Sequence, residues 1–274
     1  MSKPALTARQ AHARNVRKRS TTIAIISTSI VALLLYLLIP LTPGWPAVKK
    51  SFFNSEIFIK SFPTLLEAFV LDVMIFLWCA PLIAILGLLI ALCRDARSPA
   101  LYPLRLFGAV YTDVFRGIPV ILIVYLIGFG IPGLGLSRPY NSPYIWGSLA
   151  LILTYSAYVA EIFRSGIESI HSSQRAAAAS LGLSPSDTMR FVVLPQAIRR
   201  VVPANMNMFI ALQKDVALLS FIGPVEILRQ AGVYKSLYAN FTPYVAAAVI
   251  FLCVTIPATR LADRLMAKQQ RERS

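Results

Sequence analysis

Long uncharged apolar runs follow one another along the chain, and short segments between them carry the charges. A helix of about 20 apolar residues crosses a bilayer, and these runs are much longer than strands. Proline and glycine residues, as in Pro132-Gly133, interrupt the pattern between runs. We therefore predict an all-α membrane protein with six transmembrane helices, at about 21–40, 62–93, 110–130, 144–167, 204–222 and 243–262.

The fifth predicted helix is the most polar of the six. It carries the adjacent charges Lys214 and Asp215 near its middle. Its amide side chains are Asn205, Asn207 and Gln213. A charge at the centre of a bilayer costs about 2.5–3.5 kcal/mol on insertion scales, so these residues should avoid lipid. Two interpretations remain open: a Lys–Asp pair that holds helices together, or a polar face that lines a translocation pathway.

Residues 168–203 form a compact insert between the fourth and fifth predicted helices. Four alanines favour a short helix at 173–181, and Gly182 suits the left-handed position that ends a helix. Ser184 can cap a second short helix, in which a proline takes the first position. We expect Leu194-Pro195 to end this second helix, because proline lacks the backbone donor that a helix interior needs.

Charged residues are predicted to meet at one end of the third and fourth helices. Glu161 and Arg164 are three residues apart, so they share a helix face and can pair. Arg116, near the start of the third helix, is expected beside them. This group is interpreted either as a gate or as a structural ion-pair cluster that anchors the insert. Asp72, near the opposite end of the second helix, is expected to reach water.

The overall charge fits a membrane protein. The sequence is 57% hydrophobic and 14% charged, whereas a soluble domain carries about 25% charged residues. Its formal net charge of +15 would suggest a nucleic-acid partner in a soluble protein. Lys and Arg are three times as numerous in segments predicted to be cytoplasmic as in those predicted outside. This asymmetry predicts that both termini, with basic tails at 1–20 and 263–274, are cytoplasmic (N-in, C-in), and it explains the charge without nucleic acid.

Metal chemistry is not predicted from this sequence. Its three Cys and two His lack the spacing of metal ligands or of a disulfide framework. No cluster of His, Cys or paired carboxylates converges at one depth of the predicted membrane region. We therefore expect no bound metal and no catalytic residues.

The insert carries the most specific motif of the chain. Small residues at 176–179 precede Leu-Gly-Leu-Ser at 181–184, and Leu-Pro-Gln-Ala follows at 194–197. This pattern resembles the EAA loop of permeases from ATP-binding-cassette (ABC) importers. In that family the loop forms coupling helices that seat in a groove of a separate ATPase subunit.

Flanking segments narrow the resemblance to the polar-amino-acid branch, the histidine, glutamine, arginine and glutamate type. They are DVFRGIP at 113–119, YVAEIFRSGI at 158–167 and KDVALLSFIG at 214–223. The resemblance covers about 60–262 and implies a type I ABC importer transmembrane domain with a cytoplasmic coupling-helix loop. The helix at 21–40 lies outside it as an extra N-terminal transmembrane helix.

The resemblance assigns candidate residues to ATPase coupling, and the polar and charged residues described above are the candidates for a pathway and gate. ATPase coupling falls to Ser173, Gln174, Ala176, Ala177, Ala178, Leu181, Gly182, Leu183, Ser184, Leu194 and Pro195. The candidate pathway and gate consist of Asn205, Asn207, Gln213, Lys214, Asp215, Arg116, Glu161 and Arg164. The chain departs from the family at Ala176, where Glu usually begins the motif, and at Ser173, where Gly is usual. The absent carboxylate would weaken ATPase contact, or the partner in a heterodimer would supply it.

The implied function is that of a permease subunit that carries a polar amino acid across the bacterial inner membrane by alternating access. No GxxxxGK[ST] phosphate-binding motif occurs in the sequence, so the chain binds no ATP of its own. The implied partners are two ATPase subunits that use ATP and Mg²⁺, a second permease chain, an extracytoplasmic solute-binding protein and the lipid bilayer. The alternatives are an ion-coupled secondary carrier, suggested by Lys214 and Asp215, and a non-transport membrane scaffold subunit.

Overall fold

The computed structural model describes residues 8–96 and 98–271, with side chains at 19–96 and 98–267. Within these ranges the chain forms helices and short turns, and no strand. The predicted basic tails at 1–20 and 263–274 lie partly outside the described residues. The helices are α1 Ala8–Leu38, α2 Trp45–Phe52, α3 Ser55–Asp95, α4 Tyr102–Gly117, α5 Val120–Gly130, α6 Pro143–Glu168, α7 Ser172–Ser180, α8 Pro185–Asp187, α9 Leu194–Asp215, α10 Ile227–Tyr238 and α11 Thr242–Arg271.

The chain divides into two units, Met1–Asn54 and Ser55–Ser274. In the first unit, every side chain from Arg19 to Gly44 is exposed. The apolar part of α1 therefore offers hydrophobic side chains in all directions, as a helix surrounded by lipid does. The second unit contains α3–α11 and all the candidate site residues.

Four helical segments are long and apolar enough to cross a membrane among the described residues. They are Arg19–Leu41, Trp45–Asp95, Pro143–Glu168 and Thr242–Ala267. Two bent pairs raise the number to six if each counts as one span: Pro99–Gly117 with Val120–Leu134, bent by 103°, and Pro185–Ile222 with Ile227–Tyr238, bent by 53°. The six predicted helices correspond to the upper number.

The sharper bend follows from Pro119. Ile118 is extended, with φ −103° and ψ 132°, as expected for a residue that precedes proline. The helix therefore ends at Gly117 and restarts as α5, which has 11 residues. At 1.5 Å per residue α5 is about 16 Å long, too short to cross the bilayer's hydrocarbon core without α4.

Helix α6 is the centre of the second unit. It packs against α3, α4, α5 and α9, and most of its residues are buried. The main apolar cluster joins α6 residues such as Leu151 and Val159 to Ile83 of α3 and Leu212 of α9. A second cluster joins α3 to α10 and α11. The packing of four helices around α6 therefore holds its charged C-terminal turn in place at the start of the insert.

The expectation that Leu194-Pro195 ends a helix is wrong. The helical path continues from α8 through a π-helical turn, Thr188–Val193, into α9, with Pro195 in the first turn of α9. A wider π turn accommodates the proline, whose missing N–H leaves no donor unpaired there. Nε2 of Gln196 donates to the Val192 carbonyl at 2.8 Å, which satisfies one acceptor beside the proline.

The expectation that Asp72 reaches water is also wrong. Asp72 is fully buried in α3, and within the described residues neither of its carboxyl oxygens has a hydrogen-bond partner. The backbone N–H of Ile227, at the start of α10, faces it, and Glu226 lies within electrostatic range. The packing of α10 on α3 excludes water from this position, a tertiary effect that hydropathy along the chain does not reveal.

Candidate coupling loop and translocation pathway

The first helix of the insert, α7, is held at both ends by hydrogen bonds. His171 precedes it, and its Nδ1 accepts from the backbone N–H of Ser173 at 3.2 Å. At the other end, the N–H of Leu183 reaches the carbonyl of Ala178 at 3.1 Å, and that of Gly182 reaches Ala179 at 2.9 Å. These two bonds form a Schellman motif, and Gly182 has the left-handed φ of 78° that the motif requires. The predicted end of this helix is confirmed.

The start of the second helix is also as predicted. Oγ of Ser184 accepts from the backbone N–H of Asp187 at 3.1 Å, and its hydroxyl donates to the Asp187 carboxylate at 2.6 Å. Pro185 occupies the first helical position. The tight connection between α7 and α8 is therefore fixed on both sides by local bonds rather than by burial.

The coupling candidates lie largely on the surface of the insert. Leu181 is 82% exposed, although leucine is usually buried, and Phe191 on the π turn is 62% exposed. Of the other candidates, Ser173, Gln174, Ala176, Ala177, Gly182, Ser184 and Pro195 are exposed, Leu183 and Leu194 are half-buried, and Ala178 is buried. The insert thus presents apolar side chains and small residues together, which suits a protein partner better than water.

The insert is anchored to the ends of the long helices. Ile167 and Ile170, where α6 ends, pack with Val193 of the π turn and Ala197 of α9. Arg200 donates to the carbonyl of Ser169 at 2.6 Å, which ties α9 to the loop that enters α7. A force on the insert would therefore reach both α6 and α9.

Glu161 is the centre of an ion-pair cluster. Arg94 Nη1 donates to its Oε2 at 2.7 Å, and Arg116 Nη1 lies 3.5 Å from the same oxygen. Arg164 Nε donates to its Oε1 at 3.0 Å and also pairs with Glu168. The predicted pairing of Glu161 with Arg164 and its proximity to Arg116 are confirmed. One carboxylate thus holds α3, α4 and α6 together through arginines from each.

Asp215 at the end of α9 bonds across to α6. The hydroxyl of Tyr155 donates to Asp215 Oδ2 at 2.8 Å, whereas Lys214 is exposed. Among the described residues no ion pair joins Lys214 to Asp215, so the interpretation of a Lys–Asp pair is not supported by the geometry. The contact between α6 and α9 rests on a tyrosine instead.

The polar residues of α9 lie on two faces. Asn205 and Gln213 are buried, and Asn205 Oδ1 and Gln213 Nε2 have no partner in the part of the chain that the structure describes. Asn207 and Lys214 are exposed and share another face, because seven residues make about two helical turns. The sequence predicted one polar face, and the structure places its members on two.

Comparisons with known proteins identify the family of this chain. The model of the family described as "Binding-protein-dependent transport system inner membrane component" matches residues 55–271. The chain belongs to this family. It is an ABC permease of the inner membrane, and the matched range coincides with the second structural unit.

Individual relatives of the permease support this assignment. It is 34% identical over 222 residues to the Bacillus subtilis protein named "Probable amino-acid permease protein YxeN", covering 79% of this chain and 97% of that one. It is 32% identical to the "Arginine transport system permease protein ArtQ" of the same organism, over 77% and 94% of the two chains. The crystal structure of an amino acid ABC transporter with histidines superposes with a TM-score of 0.69, at 32% identity over 77% of this chain and 96% of that one.

Several residues of the permease's polar interior were missed by sequence reasoning. Arg94 and Tyr155 contact residues 67 and 60 positions away, and Glu226 contacts the start of the adjacent helix α10. Glu226 is fully buried and caps α10 through the N–H groups of Leu228 and Arg229, at 2.8 and 2.7 Å. Glu226 gave no usable capping signal, because N-cap residues are usually Ser, Thr, Asp or Asn. No local signal marked Arg94 or Tyr155.

Proposed function

We propose that this permease is one half of the membrane channel of an ATP-driven importer for a polar amino acid, and that it binds its ATPase through α7 and α8. The observation that carries this proposal is the insert itself. It is a rigidly capped helix pair with an 82% exposed leucine at its turn, anchored to the ends of α6 and α9. A helix pair with those properties suits transmission of movement from a protein partner into the membrane helices.

The energy source must lie on other subunits, because the sequence holds no phosphate-binding loop. We infer two ATPase subunits that use ATP and Mg²⁺, one for each permease chain. An extracytoplasmic solute-binding protein would deliver the amino acid. A basic excess in the loops that include the insert supports an N-in, C-in orientation, with residues 168–203 as the cytoplasmic coupling loop.

A second permease chain is supported by the exposed polar face of α9. Lys214 and Asn207 are exposed in a single chain, and a lysine in lipid is costly. The face of α9 that carries Lys214 and Asn207 would therefore line a pathway between two permease chains. A zwitterionic amino acid would meet polar groups there. Asn205 and Gln213 are buried, so they lie away from this exposed face. Alternating access would open the pathway to one side at a time.

The Glu161 cluster is suited to act as the inner gate of this pathway. Its arginines come from α3, α4 and α6, so a relative movement of these helices must break or rearrange ion pairs. Arg164 also pairs with Glu168, so its guanidinium would keep one carboxylate partner if its pair with Glu161 broke. The cluster thus favours discrete closed and open arrangements over a gradual change.

Ala176 bears on the composition of the dimer. It is exposed on α7, so the missing carboxylate has not been replaced by a buried contact. A heterodimer, in which the other permease chain keeps the Glu, would restore one such contact to its own ATPase subunit. A homodimer would rely on Gln174 and the apolar turn instead.

The proposal is tested by co-expressing the permease with a candidate P-loop ATPase subunit and reconstituting both with a candidate solute-binding protein. Uptake of radiolabelled L-glutamine, L-arginine, L-histidine and L-glutamate is then measured with and without ATP. ATP-dependent uptake of at least one of them is expected. Uptake that instead follows an imposed proton or sodium gradient without ATP would favour the secondary carrier and contradict the proposal.

A further inference from the structure

The last two residues of α3 connect four helices. Arg94 donates to Glu161 of α6, and both side chains are mostly buried, at 17% and 24% exposure. The aliphatic part of Arg94 lies against α4 at Gly108, where an added Cβ would come within 2.9 Å of its Cγ. Arg94 therefore fixes the end of α3 to both α4 and α6.

The next residue reaches the insert. Asp95 Oδ2 lies 3.9 Å from Nη1 of Arg175, the arginine of α7, and both side chains are about four-fifths buried. Nη2 of Arg175 also approaches the carbonyl of Ile167 in the last turn of α6, at 3.5 Å. The guanidinium of Arg175 thus lies between an acid of α3 and the negative end of α6, two sites that attract a cation.

The two neighbouring residues carry opposite charges and point to different partners. Arg94 pairs with the Glu161 cluster, and Asp95 pairs with α7. Among the described helices, α7 is otherwise packed mainly on the π turn that follows it. The Asp95–Arg175 pair is consequently the ionic contact through which α7 meets α3.

We propose that Arg94 and Asp95 are positioning residues that link α7 to α3 and α6, so that a displacement of α7 moves these helices together. The proposal rests on the function proposed above, in which an ATPase displaces α7. It adds that the signal enters α3 through Asp95–Arg175 and reaches the Glu161 cluster through Arg94. Partly buried pairs suit this role, because they are screened by salt less than surface pairs.

The test uses the complete complex in proteoliposomes and measures ATP hydrolysed per amino acid taken up, with L-glutamine and L-arginine as probes. Asp95→Asn and Arg94→Gln should each raise this ratio about two- to thirtyfold, the range found when a coupling contact is weakened. Asp95→Asn should add little to the effect of Arg175→Gln, because either substitution alone already breaks the pair. Asp263→Asn, at an exposed position of α11, is the matched control and should leave the ratio unchanged.

The outcomes separate the two proposals. A wild-type complex without ATP-dependent uptake overturns the importer function, and the link with it. A working wild type in which Asp95→Asn keeps the normal ratio overturns the link alone. Additive effects of Asp95→Asn and Arg175→Gln, while each variant complex unfolds at the wild-type temperature, show that Asp95 and Arg175 do not act as a pair and also overturn the link.

Discussion

The hydroxyl of Tyr155 in α6 donates to the carboxylate of Asp215 at the end of α9, over 2.8 Å. Asp215 is half-buried at the point where α9 becomes a 3-10 turn, Val216–Ile222. The bond therefore joins the most buried helix of the permease to the helix that carries the candidate pathway residues. It also leaves Lys214 on the exposed face of α9.

Removing that hydroxyl should destabilise the α6–α9 contact. Tyr155→Phe leaves a half-buried carboxylate without its donor, which costs about 1–3 kcal/mol. We expect a lower unfolding temperature in detergent and reduced uptake. Tyr125→Phe, a tyrosine whose hydroxyl is not used in a hydrogen bond among the described residues, is the control. An equal effect of both substitutions would contradict the role assigned to the bond.

Asp215→Asn separates transport from assembly. The amide oxygen of the Asn can still accept the hydrogen bond from the Tyr155 hydroxyl. The complex should therefore form with nearly normal stability. Loss of the negative charge beside Lys214 should nevertheless impair uptake. Normal uptake with unchanged apparent affinity for the probe amino acids would assign Asp215 a purely structural role.

The Glu161 cluster should depend on its single shared carboxylate. Glu161→Gln leaves Arg94, Arg116 and Arg164 close together with one acceptor oxygen fewer. The substitution should lower the free energy of unfolding by about 1–3 kcal/mol. Glu168→Gln removes only an exposed pair and should cost less than about 1 kcal/mol. Thermal unfolding of both variants measures the difference, and similar losses would show that Glu161 does not hold the cluster.

Gly182 should be required for coupling but not for membrane insertion. Gly182→Val places a β-branched residue at the left-handed φ of 78°. The backbone strain costs at least about 1 kcal/mol and distorts the turn, even though no atom lies within 4 Å of the added Cβ. We expect normal amounts of protein in the membrane and ATP hydrolysis that no longer follows uptake. Gly133→Ala, with equal space and an ordinary φ, is the matched control. Normal solute-stimulated ATP hydrolysis in Gly182→Val would contradict this expectation.

Two buried acids near the start of α10 should respond differently to loss of charge. Asp72 has no hydrogen-bond partner in the described part of the chain, so Asp72→Asn should keep or raise the unfolding temperature. Glu226 accepts two backbone N–H groups, so Glu226→Gln should lose about 0.5–2 kcal/mol as a weakened cap. A larger loss for Asp72→Asn than for Glu226→Gln would show that Asp72 has a partner that matters to folding.

The sequence predicted the features that local patterns determine. Apolar runs located the long helices, and the small-residue run with Gly182 and Ser184 located the capped turn of the insert. Glu161 and Arg164 were paired correctly because three residues along a helix bring side chains together. These are effects of neighbours along one helix, which a single sequence contains.

Other features depend on which helices meet, and the sequence alone does not determine them. Arg94 contacts Glu161 from a position 67 residues away, and Tyr155 contacts Asp215 across 60. Asp72 is buried by helices that pack on α3, among them α10. Pro195 continues a helix because a π turn precedes it, a local irregularity that no proline rule anticipates. Which face of α9 is buried likewise depends on its neighbours, although helical periodicity alone places Asn207 and Lys214 on one face.

Docking of the ATPase on the turn between α7 and α8 is the central claim, and photo-crosslinking tests it most directly. A benzophenone amino acid is placed at Leu181, which is 82% exposed, and for comparison at Tyr140, which is 64% exposed between α5 and α6. The intact complex is then illuminated in native membranes. We predict a crosslink from position 181 to the ATPase subunit and none from position 140. No ATPase adduct at position 181, in a complex that still contains the ATPase, would contradict the account.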